Sequence, residues 1–290
     1  MRDPKRNTPQ QPHEVIRPAD QLMPVVFSSP HSGKHYTESF LSTLNIDLAT
    51  LRQLEDCFVD ELFSSAPELG APMLRALFPR AYIDPNREPY ELDPEMFDED
   101  LPDHANTTSA RVAVGLGTIA RLTTTGEEIY GQKLTVTEAE YRIESYHRPF
   151  HQALKTLITN TKARFGYAVL IDCHSMPSID RTNDRSRGKQ STDIILGDRF
   201  GTSCSANLID TIEDCLINLG YHVTRNIPYA GGYTTEHYGC PNENVHAIQL
   251  EINRSLYMDQ KRLRKHRGIA RTSRNMKCLI ETLARLKLAL

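Results

Sequence analysis

The segment AVLIDCHSM at 168–176 limits the folds open to this chain more than any other. Its first half is a short continuous apolar run. Such a run predicts a strand buried on both faces, as in a parallel sheet covered by helices on either side. The run then breaks into Asp172, Cys173, His174 and Ser175. Ligands of open α/β sheets bind in the crevice at the carboxyl ends of strands, so polar residues at that end carry more functional weight than the same residues on a surface loop. Taken alone, the segment also suits a capped strand with a hydrogen-bonded histidine. A second segment of the same form, PVVFSSPHSG at 24–33, favours the functional reading: it too is an apolar run that delivers a histidine, His31, next to a glycine able to turn tightly.

The order of elements supports the same class. Apolar residues recur at helical spacing from 47 to 65, and residues 73–77 and 81–84 have the form of short strands. A further strand is expected within 112–122. The clearest helix covers 137–164, opened by a capping box of Thr137 and Glu140, with Pro149 marking a kink or break. Strands are expected near 192–197, 221–225 and 245–252, a helix over 203–219, a polar loop over 231–239 and one long helix at the C-terminus. Helix followed by strand suits crossover connections. The expected fold is therefore α/β, with a mixed, largely parallel sheet flanked by helices on both faces. Residues 1–20, rich in Pro, Gln, Asn and charge, suit a loosely ordered tail. No internal repeat or composition break divides the remainder, so 21–290 is expected to form a single domain.

Composition excludes several classes. The net charge of −3 lacks the basic surplus of a nucleic-acid binder. The one basic run, 261–267, precedes a helical pattern and suits a solvated helix face. No apolar run approaches the roughly 18 residues of a membrane span, and the first residues lack the apolar core of a secretory signal. A cytoplasmic protein with neither a nucleic-acid nor a membrane partner is expected. Six cysteines without a CxxC pair fit neither a disulfide framework nor a zinc ribbon, and reduced thiols are the expectation.

Three expected strand ends carry His31, His174 and Glu251. Two imidazoles and a carboxylate are common protein ligands of a catalytic zinc, which keeps a further position for water. The metal lowers the pKa of that water to about 7, and a carboxylate outside the ligand set then moves protons. Glu251 suits this last role; its alternative is a strand-end pair with Arg254. No HExxH motif is present, so the ligands must come from separate elements. Cys173 invites a nucleophile reading, but on a strand it points away from His174, which suits a buried, inert thiol. Asp172 is a candidate for fixing the orientation of a ligand.

Six ordered blocks carry a family resemblance: PVVFSSPHSG at 24–33, EDCFVDELF at 55–63, AYIDPNRE at 81–88, VLIDCHS at 169–175, GGYTTEHYG at 231–239 and AIQLEINRSLYMD at 247–259. Together they resemble the N-formylglutamate amidohydrolase family, which is related in fold to the zinc carboxypeptidases and aspartoacylases. The resemblance implies metal-dependent hydrolysis of the amide of a small N-acyl acidic amino acid such as N-formylglutamate, with Zn2+ or another divalent metal as cofactor. Residue by residue, it implies His31 and His174 as metal ligands and Asp56 as the acidic ligand, with Glu55 and Asp60 close enough to compete. Glu251 resembles the general base. Asn86 and Arg87 resemble a pair that binds a substrate carboxylate, for which the planar guanidinium fork is suited where lysine is not; the alternative is a surface pair of Arg87 with Asp84 or Glu88. Arg121 and Arg142 are candidates for further positive charge, Arg142 having a solvent-facing helix position as its alternative. His237 is a candidate for orienting substrate or stabilising an oxyanion, or is merely exposed.

Residues 89–110 and 123–130 depart from the pattern of dedicated formylglutamate enzymes, which leaves the acyl and side-chain pockets open. The competing functions are a peptidase or amidase of the same fold acting on a larger amide, such as a cell-wall peptide, and a non-catalytic module that keeps the metal. The oligomeric state is not legible.

Overall fold

A computed structural model describes residues 11–178 and 192–288. In chain order the elements begin with β1 His13–Ile16, β2 Val25–Ser29, α1 Glu38–Leu41, α2 Leu48–Leu51, α3 Val59–Leu62 and β3 Met73–Ala76. After a long irregular stretch come α4 Val136–Arg142, α5 Arg148–Phe165, β4 Ala168–Met176, β5 Ile194–Gly197 and α6 Ala206–Asn218. The chain continues through β6 Val223–Arg225, α7 Tyr233–Tyr238, β7 Val245–Asn253, a small hairpin of β8 Met258–Asp259 and β9 Arg264–Lys265, and α8 Gly268–Arg285.

Seven strands form one sheet in the order β1-β3-β2-β4-β7-β5-β6. β2, β4 and β7 are parallel, β5 is antiparallel to β7, and β6 is parallel to β5. The sheet is thus mixed and largely parallel, as expected. All nine residues of β4 are buried, which is why its sequence runs apolar without alternation.

The two-residue period of a strand still sorts the side chains. Val169, Ile171 and Cys173 join Val25, Phe27, Ile248, Leu250 and Ile252 in an apolar core, which Val59 and Leu62 of α3, Leu208 and Ile212 of α6, and Leu279 and Leu283 of α8 complete. Asp172 and His174 take the other face of β4, and Gln249 and Glu251 that of β7. The register pairs Asp172 with Gln249 and His174 with Glu251. Neighbouring strands lie ~4.8 Å apart, so these four polar residues form one patch. α7 packs on β4 and β7, and the Gly232 N–H at its start donates to Gln249 Oε1 at 2.7 Å. Helices therefore cover both faces.

Within the chain two compact units can be distinguished. One comprises Ile16–Pro30, Asp56–Leu74 and Lys155–Leu290, and contains most of the sheet. The other comprises His31–Glu55, Arg75–Leu154 and the N-terminal segment to Val15. It has its own apolar clusters, around Phe40, Leu51 and Ile129 and around Leu92, Phe97 and Ile119. Because each unit is assembled from interleaved segments, no linker or composition break marks the division.

Local departures from the sequence reading have identifiable causes. Residues 1–10 of the expected tail lie outside the described residues, but His13–Ile16 pairs into the sheet. The expected helix over 47–65 breaks after a 3-10 turn at Arg52–Leu54, and Phe58 adopts φ 67° before α3 begins. Residues 81–84 form no strand, with a turn at 81–82, and 112–122 contain a 3-10 turn, Val112–Val114, closed by Gly115 at φ 73°. The long helix is capped by Thr135, whose side chain accepts from Glu138 N–H, and not by Thr137. A π turn at Ile143–His147 precedes Pro149, which has no N–H to donate to the preceding turn. The polar loop at 231–239 contains α7. Among the described residues, no helix is long and apolar enough to cross a membrane.

Ile171 sits in the middle of β4 with no exposure. Ile171→Ala should lower unfolding free energy by roughly 2–5 kcal/mol in urea denaturation. A loss under about 1 kcal/mol would contradict the central, closely packed position of β4.

Candidate functional site

Each candidate metal ligand sits where a regular element has just ended or is about to. His31 lies two residues past β2, His174 is near the carboxyl end of β4, and Asp56 occupies the break ahead of α3. One ligand atom from each of His31, Asp56 and His174 lies within 4.8 Å of the others, and all three residues are buried. Among the described residues this is the group of acidic, histidine or cysteine side chains that could hold a metal.

The surrounding hydrogen bonds orient these side chains. His31 donates from Nε2 to Asp84 Oδ1 at 2.7 Å. His174 donates from Nε2 to Asp172 Oδ2 at 2.8 Å, while its Nδ1 lies 3.1 Å from Asp56 Oδ2. Asp56 Oδ1 accepts from Arg254 Nη2 at 3.0 Å and from Ser175 Oγ at 3.4 Å. A histidine that donates its second N–H to a carboxylate is the usual arrangement behind a metal-bound imidazole, because it fixes both tautomer and ring orientation. Although burial disfavours a charged imidazole, Asp172, Asp56 and Glu251 raise the pKa of His174 well above the ordinary range. The surrounding carboxylates thus favour positive charge at this position. Two imidazoles and one carboxylate match the donor set of a catalytic zinc, and the residues present fit that ion.

The competing acids have other partners. Glu55 is buried, and its Oε1 accepts from Tyr36 Oη at 2.5 Å and from Arg52 Nε at 2.9 Å. Neither Glu55 nor Asp60 belongs to the metal-ligating group among the described residues.

Glu251 is 7% exposed and lies beside His174 in the β4–β7 register. Gln249 Nε2 donates to Glu251 Oε1 at 2.8 Å. Because Gly232 N–H fixes Gln249 Oε1 as an acceptor, the amide can present only its NH2 group to the carboxylate. Arg254, the expected alternative partner of Glu251, turns to Asp56 and also donates from Nε to Ser175 Oγ at 3.2 Å. Arg254 and Asp84 are site residues that the sequence reading offered only as ion-pair alternatives. The burial of the ion pair between Arg254 and Asp56 was not legible without the break that brings Asp56 inward.

Asp84 ties His31 to the Asn86–Arg87 loop. The same Oδ1 that accepts from His31 accepts from Asn86 N–H at 2.8 Å, and Oδ2 accepts from Arg80. Burial would raise the Asp84 carboxyl, but Arg80, His31 and Arg87 outweigh it and hold the pKa well below the ordinary value. Arg87 donates from Nε to Leu116 O at 3.2 Å and from Nη1 to Asn86 O at 2.9 Å, whereas Asp84 Oδ2 is 3.9 Å away. Glu88 accepts from Asn106 instead. Burial lowers the Arg87 pKa to about 10; Asp84 opposes this, and Arg80 and Arg111 reinforce it. The side chain remains protonated at neutral pH.

The carbonyls around Arg87 are held by the long helix. Arg142 Nη1 donates to Tyr82 O at 3.0 Å, His147 Nε2 to Arg87 O at 2.9 Å, and His151 Nε2 to Pro85 O at 2.8 Å. Residues 142 and 147 are five apart. The π turn between them, with its i→i+5 bonding, brings a residue five along to the stripe that i+4 would occupy in an α-helix. Arg142, expected to supply substrate charge or to face solvent, is 2% exposed; it also donates to Tyr130 Oη at 2.7 Å and lies 4.1 Å over the Tyr82 ring.

Two other candidates are placed differently. Arg121 is held by Asp93, Glu95 and Glu128 at 2.7, 2.9 and 2.8 Å, so three carboxylates already offset its charge. His237 lies on α7, exposed, with its ring stacked on Tyr233 at 5.0 Å. Cys173 faces the apolar core, where burial and Asp172 push its thiol pKa well above the ordinary value. That is the environment of an inert thiol.

A family model described as N-formylglutamate amidohydrolase matches residues 23–258. Two relatives, N-formylglutamate deformylases from Pseudomonas putida and Pseudomonas aeruginosa, are each 30% identical to this chain over 242 and 252 residues. These matches cover 82% and 85% of this chain and 83% and 86% of the relatives. The crystal structure of N-formylglutamate amidohydrolase from Ralstonia eutropha JMP134 is similar with a TM-score of 0.87 at 34% identity, covering 95% of this chain and 98% of that one. A protein of known structure from Agrobacterium tumefaciens, 15% identical, shares the fold with a TM-score of 0.62. Since the matched span runs from before His31 to beyond Arg254 and takes in every residue of the site, the chain belongs to the N-formylglutamate amidohydrolase family.

Proposed function

We propose that this protein hydrolyses N-formyl-L-glutamate to formate and L-glutamate, with a divalent metal, most simply Zn2+, held by His31, Asp56 and His174. The observation that carries this reading is the buried His-Asp-His group, in which each histidine is backed by a carboxylate. A zinc ion bound there supplies Lewis acidity toward the formyl carbonyl and makes hydroxide available near neutral pH.

The chain's own residues supply the rest. Arg87 binds a substrate carboxylate with its guanidinium fork, and Asn86 lines the same loop. Asp84, hydrogen-bonded to both His31 and Asn86, holds that anchor at a fixed reach from a metal ligand, which is the positional requirement for bringing the scissile amide into line. Glu251 takes a proton from the attacking water and returns it to the leaving nitrogen as the C–N bond breaks. Gln249 keeps one Glu251 oxygen engaged and so directs the other. Asp172 and Asp84 orient the ligand histidines.

Three outcomes follow for purified protein. Glu251→Gln should lower kcat by roughly 10²–10⁴-fold with zinc content unchanged by elemental analysis; lost zinc would make Glu251 a ligand and not the base. Asp172→Asn should weaken zinc binding by about 10–100-fold in a competition titration with a chelator, and unaltered affinity would remove Asp172 from the site. Arg87→Lys keeps the charge but loses the fork, and should raise KM for N-formylglutamate by about tenfold or more; an unchanged KM would place the carboxylate anchor elsewhere.

A further inference from the structure

Arg87 is not the only guanidinium on its loop pair. Leu116 N–H donates to the Arg111 backbone O at 2.8 Å, and Leu116 O accepts from Arg87 Nε at 3.2 Å, so one residue links the Arg87 side chain to the backbone that carries Arg111. The segment carrying Arg111 is stitched to the 84–91 segment by several bonds. Ser109 Oγ donates to Glu91 Oε1 at 2.5 Å and accepts from Val112 N–H at 3.1 Å. Thr118 N–H donates to Glu91 O at 2.7 Å, and Asp84 N–H donates to Thr118 O at 2.7 Å. A Cβ added at Gly117 would come within 2.3 Å of the Glu91 carbonyl oxygen, so the two backbones meet directly at that point.

The charges on these segments are unevenly matched. Arg80 is paired with Asp84, Arg121 with three carboxylates and Arg142 with Glu138. Arg111 is partly buried, yet among the described residues its side chain has no hydrogen bond or ion pair. Its charge is felt at Arg87, where it adds to the effect of Arg80. Against the guanidinium groups of Arg80, Arg87 and Arg111 stand the carboxylates of Asp84 and Glu91, and Ser109 already engages one Glu91 oxygen. Glu88 on the same segment is exposed and engaged by Asn106, which leaves Arg111 as the guanidinium without a carboxylate partner among the described residues beside the proposed anchor. A substrate with one carboxylate needs only Arg87, whereas one with two gains from a second guanidinium at a fixed offset from the first.

We propose that Arg111 binds the second carboxylate of the substrate, and so makes this chain selective for N-acyl derivatives of dicarboxylic amino acids over their neutral counterparts. The inference rests on the proposed hydrolysis and on Arg87 as the first anchor; Arg111 takes the part for which the sequence suggested Arg121.

The test compares Arg111→Ala and Arg111→Lys with the wild type in two measurements. The first is kcat/KM for N-formyl-L-glutamate and for N-formyl-L-glutamine. The second, independent of turnover, is calorimetric binding of glutarate and of pentanoate, which have equal chain lengths but two carboxylates and one. Arg111→Ala should lower the glutamate-to-glutamine ratio and the glutarate-to-pentanoate affinity ratio each by roughly 10- to 100-fold, with partial recovery in Arg111→Lys. Ratios within about twofold of wild type in both measurements, including a uniform loss on both members of each pair, would overturn the inference. Should the wild type cleave neither formyl compound while the affinity ratio still depends on Arg111, the hydrolysis reading falls and the second anion site stands.

Discussion

The in-register parallel pairing of β4 with β7 is the constraint on which the rest of the site depends. It places His174 against Glu251 and Asp172 against Gln249 on one sheet face, while the alternate residues build the apolar core under α3, α6 and α8. Because the side-chain period of a strand is two, a slip of β4 by one residue would send Cys173 to the polar face and bury His174 in hydrocarbon, away from Glu251. The core that fixes this register is therefore also the device that aims a candidate ligand and a candidate base at the same place.

Electrostatics set the second layer. Asp172, Asp56 and Glu251 crowd His174, and Asp84 holds His31. An accumulation of buried carboxylates is costly unless cations accompany it. Part of that compensation is visible in Arg254 on Asp56 and Arg80 on Asp84. A divalent ion among His31, Asp56 and His174 would supply the remainder at the one point where the donors converge.

Much of this was legible in the sequence, for reasons that can be stated. β4 and β7 are long, apolar and buried, so their pattern is strong, and their polar ends stand out against it. His31, Asp56 and His174 emerged from ordered blocks and are brought together in space. The failures lie where backbone geometry overrides pattern. Residues 47–65 keep a helical apolar spacing, yet the chain breaks at 55–58 and turns Asp56 inward through the left-handed Phe58. Arg142 reads as a surface residue of an amphipathic helix, but the tyrosines around it arrive from distant segments. Arg121 reads as a free cation because its partner Asp93 is 28 residues away in sequence and Glu128 is brought back beside it only by the Leu122–Glu128 bridge.

X-ray absorption at the zinc edge of zinc-loaded protein tests the proposed ligands most directly. A first shell of nitrogen and oxygen scatterers at about 2.0–2.1 Å, with the outer-shell signature of two imidazoles, is the predicted spectrum. Sulfur scattering at about 2.3 Å, or a shell without imidazole, would contradict it.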